Sequence, residues 1–190
     1  MTEKTTSDRA IPMAPLFISI SLLPVAVTIC FSFAFTFTNA AVFLTLAITS
    51  GTTAYHFCMR LIIGVIVNAV MGNKADYRRA WFRVGEGEFA FYNFLNVKKW
   101  KDKMPTYDKK SFDIRQHSLE ELVQVTCQSE IVHEIIIAAS FLPIIAVAWF
   151  GALPVFIITS CVAAGIDLMY VFIQRFNRYR LLRVIKKKCP

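Results

Sequence analysis

The sequence has 190 residues, of which 56% are hydrophobic, and a formal net charge of +8; its mean hydropathy is +0.51. The apolar residues fall in long blocks instead of the short periodic runs of a soluble core, which argues against a soluble globular domain. The basic residues lie between and after those blocks, with no base-reading or stacking element among them, so anionic lipid headgroups are their expected partner and nucleic acid is not.

Residues 1–11 are polar and short, and Pro12 and Pro15 separate them from the first apolar block. Residues 14–37 carry no charge. At a rise of about 1.5 Å per residue they are long enough to cross the roughly 30 Å apolar core of a bilayer, and they exceed a signal-peptide core. After Thr38-Asn39 a second apolar stretch covers 40–70 and meets His56 and Arg60 on the way; it reads as one long tilted or bent helix, with the part beyond Arg60 either spanning or lying in the interface. Residues 71–130 are rich in charges and aromatics. At the end of this segment Ser118-Leu119-Glu120-Glu121 has the pattern of a capping box, which predicts a helix running straight into a third span at 131–150, kinked at Pro143. A fourth span covers 152–173 and contains Asp167, and the chain continues into Gln174-Arg175-Phe176-Asn177-Arg178-Tyr179-Arg180 and the run Lys186-Lys187-Lys188. The expected architecture is therefore an all-α integral membrane protein, a single domain over 1–190. It has four transmembrane helices and a helical and loop cap between the second and third.

Orientation follows from the basic residues. Of the 21 Lys and Arg, 2 precede the first span, 1 lies inside the second, 11 lie between the second and third, and 7 come after the fourth. The two short hairpins carry none. The N-terminus, the cap and the C-terminus are expected on the cytoplasmic side of the cell membrane.

The cysteines at 30, 58, 127, 161 and 189 have no metal-binding or redox spacing and read as small hydrophobes. Ionisable side chains in or beside spans are more informative, because they are costly there. His56 and Arg60 are four residues apart and share a helix face. Glu130 and His133 are three apart at the entrance to the third span, with Glu134 next to them; Asp167 lies about two turns inside the membrane from Gln174. All six fall at similar depth. Structural roles fit these residues too: Arg60 can snorkel to phosphates, Asp167 can pair with Arg60 or with the arginines after the span, and Glu134 can be a solvated helix end. An acid beside a histidine suits a general base, and two chemistries fit the Glu130/His133 pair. In one, Glu130 orients His133 and raises its basicity, and His133 deprotonates an alcohol attacking an acyl carbonyl while Arg60 or another cation stabilises the oxyanion. In the other, His56, Glu130 and His133, with Glu88, hold a metal, although the spacing falls short of HExxH. A non-catalytic lipid-binding or assembly protein is a third reading.

A larger pattern runs through the second half: Glu88 and Tyr92; Asn96-Val97-Lys98-Lys99-Trp100-Lys101-Asp102-Lys103-Met104-Pro105; Ser129-Glu130-Ile131-Val132-His133; and Gln174 to Arg180. Over roughly 88–181 it resembles the glycosyl-4,4'-diaponeurosporenoate acyltransferase family, the bacterial membrane enzymes of the last step of staphyloxanthin formation. The resemblance implies transfer of a long fatty acyl group to a sugar hydroxyl of a membrane glycolipid at the cytoplasmic face. On this reading His133, Glu130, His56 and Arg60 are catalytic. Glu88, Tyr92, Lys98, Lys99, Trp100, Lys101, Gln174, Arg175, Asn177 and Arg178 bind substrate. The donor is acyl-CoA or an acyl-carrier protein, the other partners are membrane lipids and a glycolipid acceptor, and no cofactor or metal is expected. Nothing in the sequence sets an oligomeric state.

Overall fold

A computed structural model describes residues 13–100, 104, 112, 113 and 115–188, with side chains from residue 17. Among the described residues the regular structure is entirely helical. Four segments are long and apolar enough to cross a membrane: Phe17–Thr38, Ala41–Met71, Leu119–Phe150 and Leu153–Lys188. Large apolar side chains such as Leu23, Phe33, Val65, Trp149 and Ile158 point outward along them. That is the arrangement expected of helices whose solvent is hydrocarbon.

Helix α1, Met13–Thr38, packs along α2, Ala41–Met71. Contact is close at Gly51, where a Cβ would meet the Thr28 methyl at 3.3 Å, and Thr28 Oγ1 donates to Ser50 Oγ at 3.0 Å. Small residues at the crossing let two backbones approach in lipid, where no hydrophobic force draws them together. Helix α2 is unbroken through Arg60 to Met71. It ends at Gly72, whose left-handed conformation (φ 51°) lets its N–H cap Asn68 O.

The charged segment beyond α2 folds as a 3-10 turn at Ala80–Phe82 and two short helices, α3 (Glu86–Phe94) and α4 (Val97–Trp100). Tyr92 and Val97 from these helices form a core with Ile173 and Phe176. Helix α5, Leu119–Ala139, begins with the predicted capping box: the Glu121 N–H donates to Ser118 Oγ, and the Ser118 N–H donates back to the Glu121 carboxylate. The last helix, α7 (Leu153–Lys188), takes in both the fourth span and the basic tail. At about 1.5 Å per residue its 36 residues reach roughly 54 Å, well past a 30 Å core. Helices α2, α5 and α7 pack mutually, and α1 lies outside them against α2.

The third span is not a kinked helix from end to end. Helix α5 stops at Ala139, a 3-10 turn covers Leu142–Ala146 with Pro143 in its first turn, and α6 is the short Val147–Phe150. The cause is local. Pro143 has no N–H to give to Ala139 O, and its ring crowds that carbonyl. The freed carbonyl instead accepts the Tyr55 hydroxyl of α2 at 2.8 Å. A side chain from the neighbouring helix thus repairs the broken ladder, as the absence of water in the bilayer core requires.

Tyr55→Phe leaves Ala139 O unpartnered and is expected to lower stability by about 1–2 kcal/mol. Thermal unfolding in lipid nanodiscs measures it; an unchanged midpoint would show that the hydroxyl does not hold the break.

Candidate active site

Two ionic clusters tie the helices together, and they lie at different depths on α7. The deeper one centres on Asp167, whose side chain is 1% exposed. Arg60 of α2 donates to Asp167 Oδ2 from Nε at 3.0 Å and from Nη2 at 2.5 Å. Its remaining contacts go to the backbone, Nη1 to His56 O at 2.9 Å and Nη2 to Ala163 O at 3.2 Å. On the other side His133 of α5 places Nδ1 at 2.8 Å from Asp167 Oδ1. The His133 ring lies flat against Tyr170, with centroids 4.6 Å apart and planes at 4°. A carboxylate facing Nδ1 holds the proton on that nitrogen, so Nε2 carries the lone pair available for proton transfer. The His133 side chain remains 19% exposed, which leaves a path for a substrate.

Glu130 does not orient His133. Its fully buried carboxylate faces the second cluster, eight residues and about 12 Å further along α7. Arg175 Nη1 donates to Glu130 Oε1 at 2.6 Å, and Arg178 Nη1 donates to Glu130 Oε2. Arg175 also holds Glu88 of α3, through Nε at 2.5 Å and Nη2 at 3.1 Å, and binds the carbonyls of Trp81 and Arg83 at 3.1 and 3.0 Å. All five of its N–H groups are used. Arg178 lies over the Phe82 ring at 5.2 Å and donates Nε to Phe82 O at 2.9 Å. The Tyr92 hydroxyl donates to Glu88. Burial raises the Glu88 carboxyl, but the Arg175 guanidinium and the Tyr92 hydroxyl outweigh it and hold the group below the usual carboxylate range. Burial, and then the bond to Glu88, push the Tyr92 phenol up.

Two acids and two arginines therefore form a neutral clamp that fastens the charged segment to α5 and α7. Spacing on one helix suggested the Glu130/His133 pair. The structure corrects it, because three residues turn a side chain about 60° around the helix axis, enough to give each a different partner. The same geometry turns Arg175 and Arg178, expected to face a donor phosphate, inward onto carboxylates; Arg178 is fully buried. The metal set of His56, Glu130, His133 and Glu88 is not assembled, and no group of three or more His, Cys, Asp or Glu side chains suited to a metal occurs among the described residues.

Of the other predicted residues, Gln174 and Tyr92 are buried, Asn177 and Trp100 are half-buried, and Lys98 and Lys99 stand exposed on α4. Lys101 lies outside the described residues. The site's neighbourhood includes residues that sequence patterning did not select. Trp81 donates Nε1 to Glu134 at 2.9 and 3.2 Å. An open depression of about 480 Å³ is lined by Ala80, Trp81, Arg83, Glu134 and Arg175. It lies one residue from His133 on α5.

These geometries can be set beside known proteins. The sequence profile of the glycosyl-4,4'-diaponeurosporenoate acyltransferases matches residues 74–187, more than half of the chain. The chain belongs to that family. It is thus a membrane acyltransferase of a carotenoid-biosynthesis family, and the clamp and the Asp167–His133 pair both fall inside the matched segment. Arg60 and His56 lie before it; Arg60 nevertheless reaches the acyltransferase's Asp167 from α2. No curated protein and no solved structure matches the chain.

Removing one charge from a buried ion network leaves its partner uncompensated. Glu130→Gln is expected to cost about 3–5 kcal/mol, seen as loss of folded protein on melting in nanodiscs. A Glu130→Gln protein that melts normally but has lost acyl transfer would instead return Glu130 to a catalytic role.

Proposed function

We propose that the protein transfers a long-chain fatty acyl group from a thioester donor to a hydroxyl of a glycosylated membrane lipid, at the cytoplasmic face, with His133 as general base. The observation that carries the reading is the 2.8 Å contact between His133 Nδ1 and a buried carboxylate that is itself anchored by Arg60.

In the reaction, His133 Nε2 takes the proton of the acceptor hydroxyl as its oxygen attacks the thioester carbonyl. The carbon–oxygen bond forms, and the carbon–sulfur bond breaks as the tetrahedral intermediate collapses. The imidazolium returns its proton to the departing thiolate. Asp167 stabilises the imidazolium while it exists, and Arg60 holds the Asp167 carboxylate in place against it. Four of the five Arg60 N–H groups are already engaged, so its part is to hold Asp167 more than to meet the oxyanion.

The distribution of Lys and Arg supports a cytoplasmic location for the charged segment and both termini, in a cell membrane. Asp167 is fourteen residues into α7, about 21 Å from its start, a depth that supports chemistry in the leaflet on the charged side. That depth suits an acyl chain lying in lipid with its thioester near the interface. The donor, acyl-CoA or an acyl-carrier protein, brings phosphates outside the bilayer. Among the described residues, the exposed Lys98 and Lys99, and Arg83 at the rim of the depression, are cations that support such a contact. The sugar of the acceptor enters by the depression beside Glu134 and Trp81. No resident cofactor or metal takes part in these steps.

Purified protein in nanodiscs is given radiolabelled long-chain acyl-CoA, or the acyl-carrier thioester, with a total polar lipid extract. A labelled glycolipid is expected, and His133→Ala should slow its formation by about 10²–10⁴-fold. Undiminished transfer by a folded His133→Ala protein would remove histidine from the mechanism.

A further inference from the structure

Helix α3 packs on the last turns of α7 in a direction that its ring contacts define. Near its start, Phe89 stacks on Tyr179 and Phe176, with centroids 4.1 and 5.3 Å apart, and Glu88 pairs with Arg175. Near its end, Tyr92 and Phe91 meet Phe172, at 5.2 and 6.2 Å. As α3 advances its contacts move back along α7, so it runs antiparallel to that helix and toward the membrane. Phe172 is nineteen residues into α7, about 28 Å from its start, and so lies inside the edge of an apolar core roughly 30 Å thick. Phe94 lies two residues beyond Tyr92 in the same direction.

The face that α3 turns away from the protein is apolar. Phe91 and Phe94, three residues apart on one side of the helix, are 49% and 81% exposed. On α7, Leu168 is one turn deeper than Phe172 and belongs to the outward apolar surface of the span. The contact between Phe91 and Phe172 makes the two surfaces continuous. Beyond Phe94 the chain turns at Asn96, in the left-handed conformation (φ 55°) that asparagine tolerates, and Val97 is buried again with Ile173 and Phe176. The exposed Lys98 and Lys99 follow at once on α4, and so stand near the edge of the apolar core, where phosphates lie. Aromatic side chains on one face with cations at the rim are the pattern of a segment seated at the boundary of headgroups and acyl chains.

We propose that the turn from α3 to α4 is a wedge that dips into the leaflet on the charged side without crossing it. Its exposed face is covered by the acyl-chain layer of the bilayer, with Phe91 and Phe94 among the chains. Lys98 and Lys99 stand at the level of the phosphates, those of lipid and of a lipid-borne donor alike. Arg175 ties Glu88 of the same helix to Glu130 of α5, so the ionic clamp sets how deep the wedge reaches. The inference rests on the four spans and not on the acyl-transfer reading.

The test is photocrosslinking of the full chain in lipid nanodiscs, with p-benzoylphenylalanine in place of Phe94. Two reference positions carry the same group: Phe33, outward and 65% exposed on α1, and Glu120, exposed on α5 thirteen residues, about 20 Å, before His133. After irradiation, mass spectrometry of the labelled peptides is expected to find lipid adducts at position 94 within about twofold of those at position 33, and none at position 120. A position 94 as free of lipid as position 120, or joined to a second copy of the chain instead, overturns the wedge. Should the bulky group at position 94 prevent folding, 4-fluorophenylalanine there gives the same decision by ¹⁹F NMR. Its signal should be broadened by a spin label on the upper acyl chain and spared by a water-soluble gadolinium chelate; the reverse pattern overturns the proposal.

Discussion

A carboxylate in the apolar interior of a bilayer is costly unless a cation is held against it, and Asp167 has that cation in Arg60. Much of the architecture can be read as the consequence of keeping this pair together. Arg60 comes from α2 and Asp167 from α7, so the pair fixes the register of the two helices. Held by Arg60, Asp167 presents its second oxygen to His133 of α5. One charge thereby joins three helices, and it does so where lipid offers no water to compete for its hydrogen bonds.

The outer clamp serves a different end with similar chemistry. Glu130 is fully buried, and its two arginines lie on α7 just past the apolar span. Through Arg175 they reach Glu88 and the carbonyls of the 3-10 turn. The charged segment has little apolar core of its own, chiefly Tyr92 and Val97 against α7, so this polar network sets where it sits above the span. The rim of the depression is formed by residues from both sides of that junction. The clamp thus shapes the depression that adjoins His133 on α5.

How much of this was legible in the sequence differs between levels. The spans could be read because about twenty apolar residues between turn signals have few other physical explanations. The capping box at Ser118 could be read because it depends on four consecutive residues. Cost alone called for a counterion to Asp167, but left Arg60 and the arginines after the span as alternatives. The partner of His133 was not. Glu130 is its neighbour along one helix, but Asp167 becomes its neighbour only when α5 and α7 adopt a particular register, which no local pattern encodes. Arg175 and Arg178 misled for a related reason: a basic motif next to a membrane reads as open to phosphate until the buried Glu130 is known to face it. The break at Pro143 was visible, but its repair by Tyr55, 84 residues away along the chain, was not.

The central claim is that His133 and Asp167 act as one unit. A double-mutant cycle on the acyl-transfer rate in nanodiscs tests it most directly, comparing His133→Ala, Asp167→Asn and the double variant, each checked for folding. Residues that work as a unit lose little more together than either loses separately, so the double variant should be about as slow as His133→Ala. Losses that multiply, with the double variant slower by the product of the two single effects, would show that the residues act independently and would contradict the account.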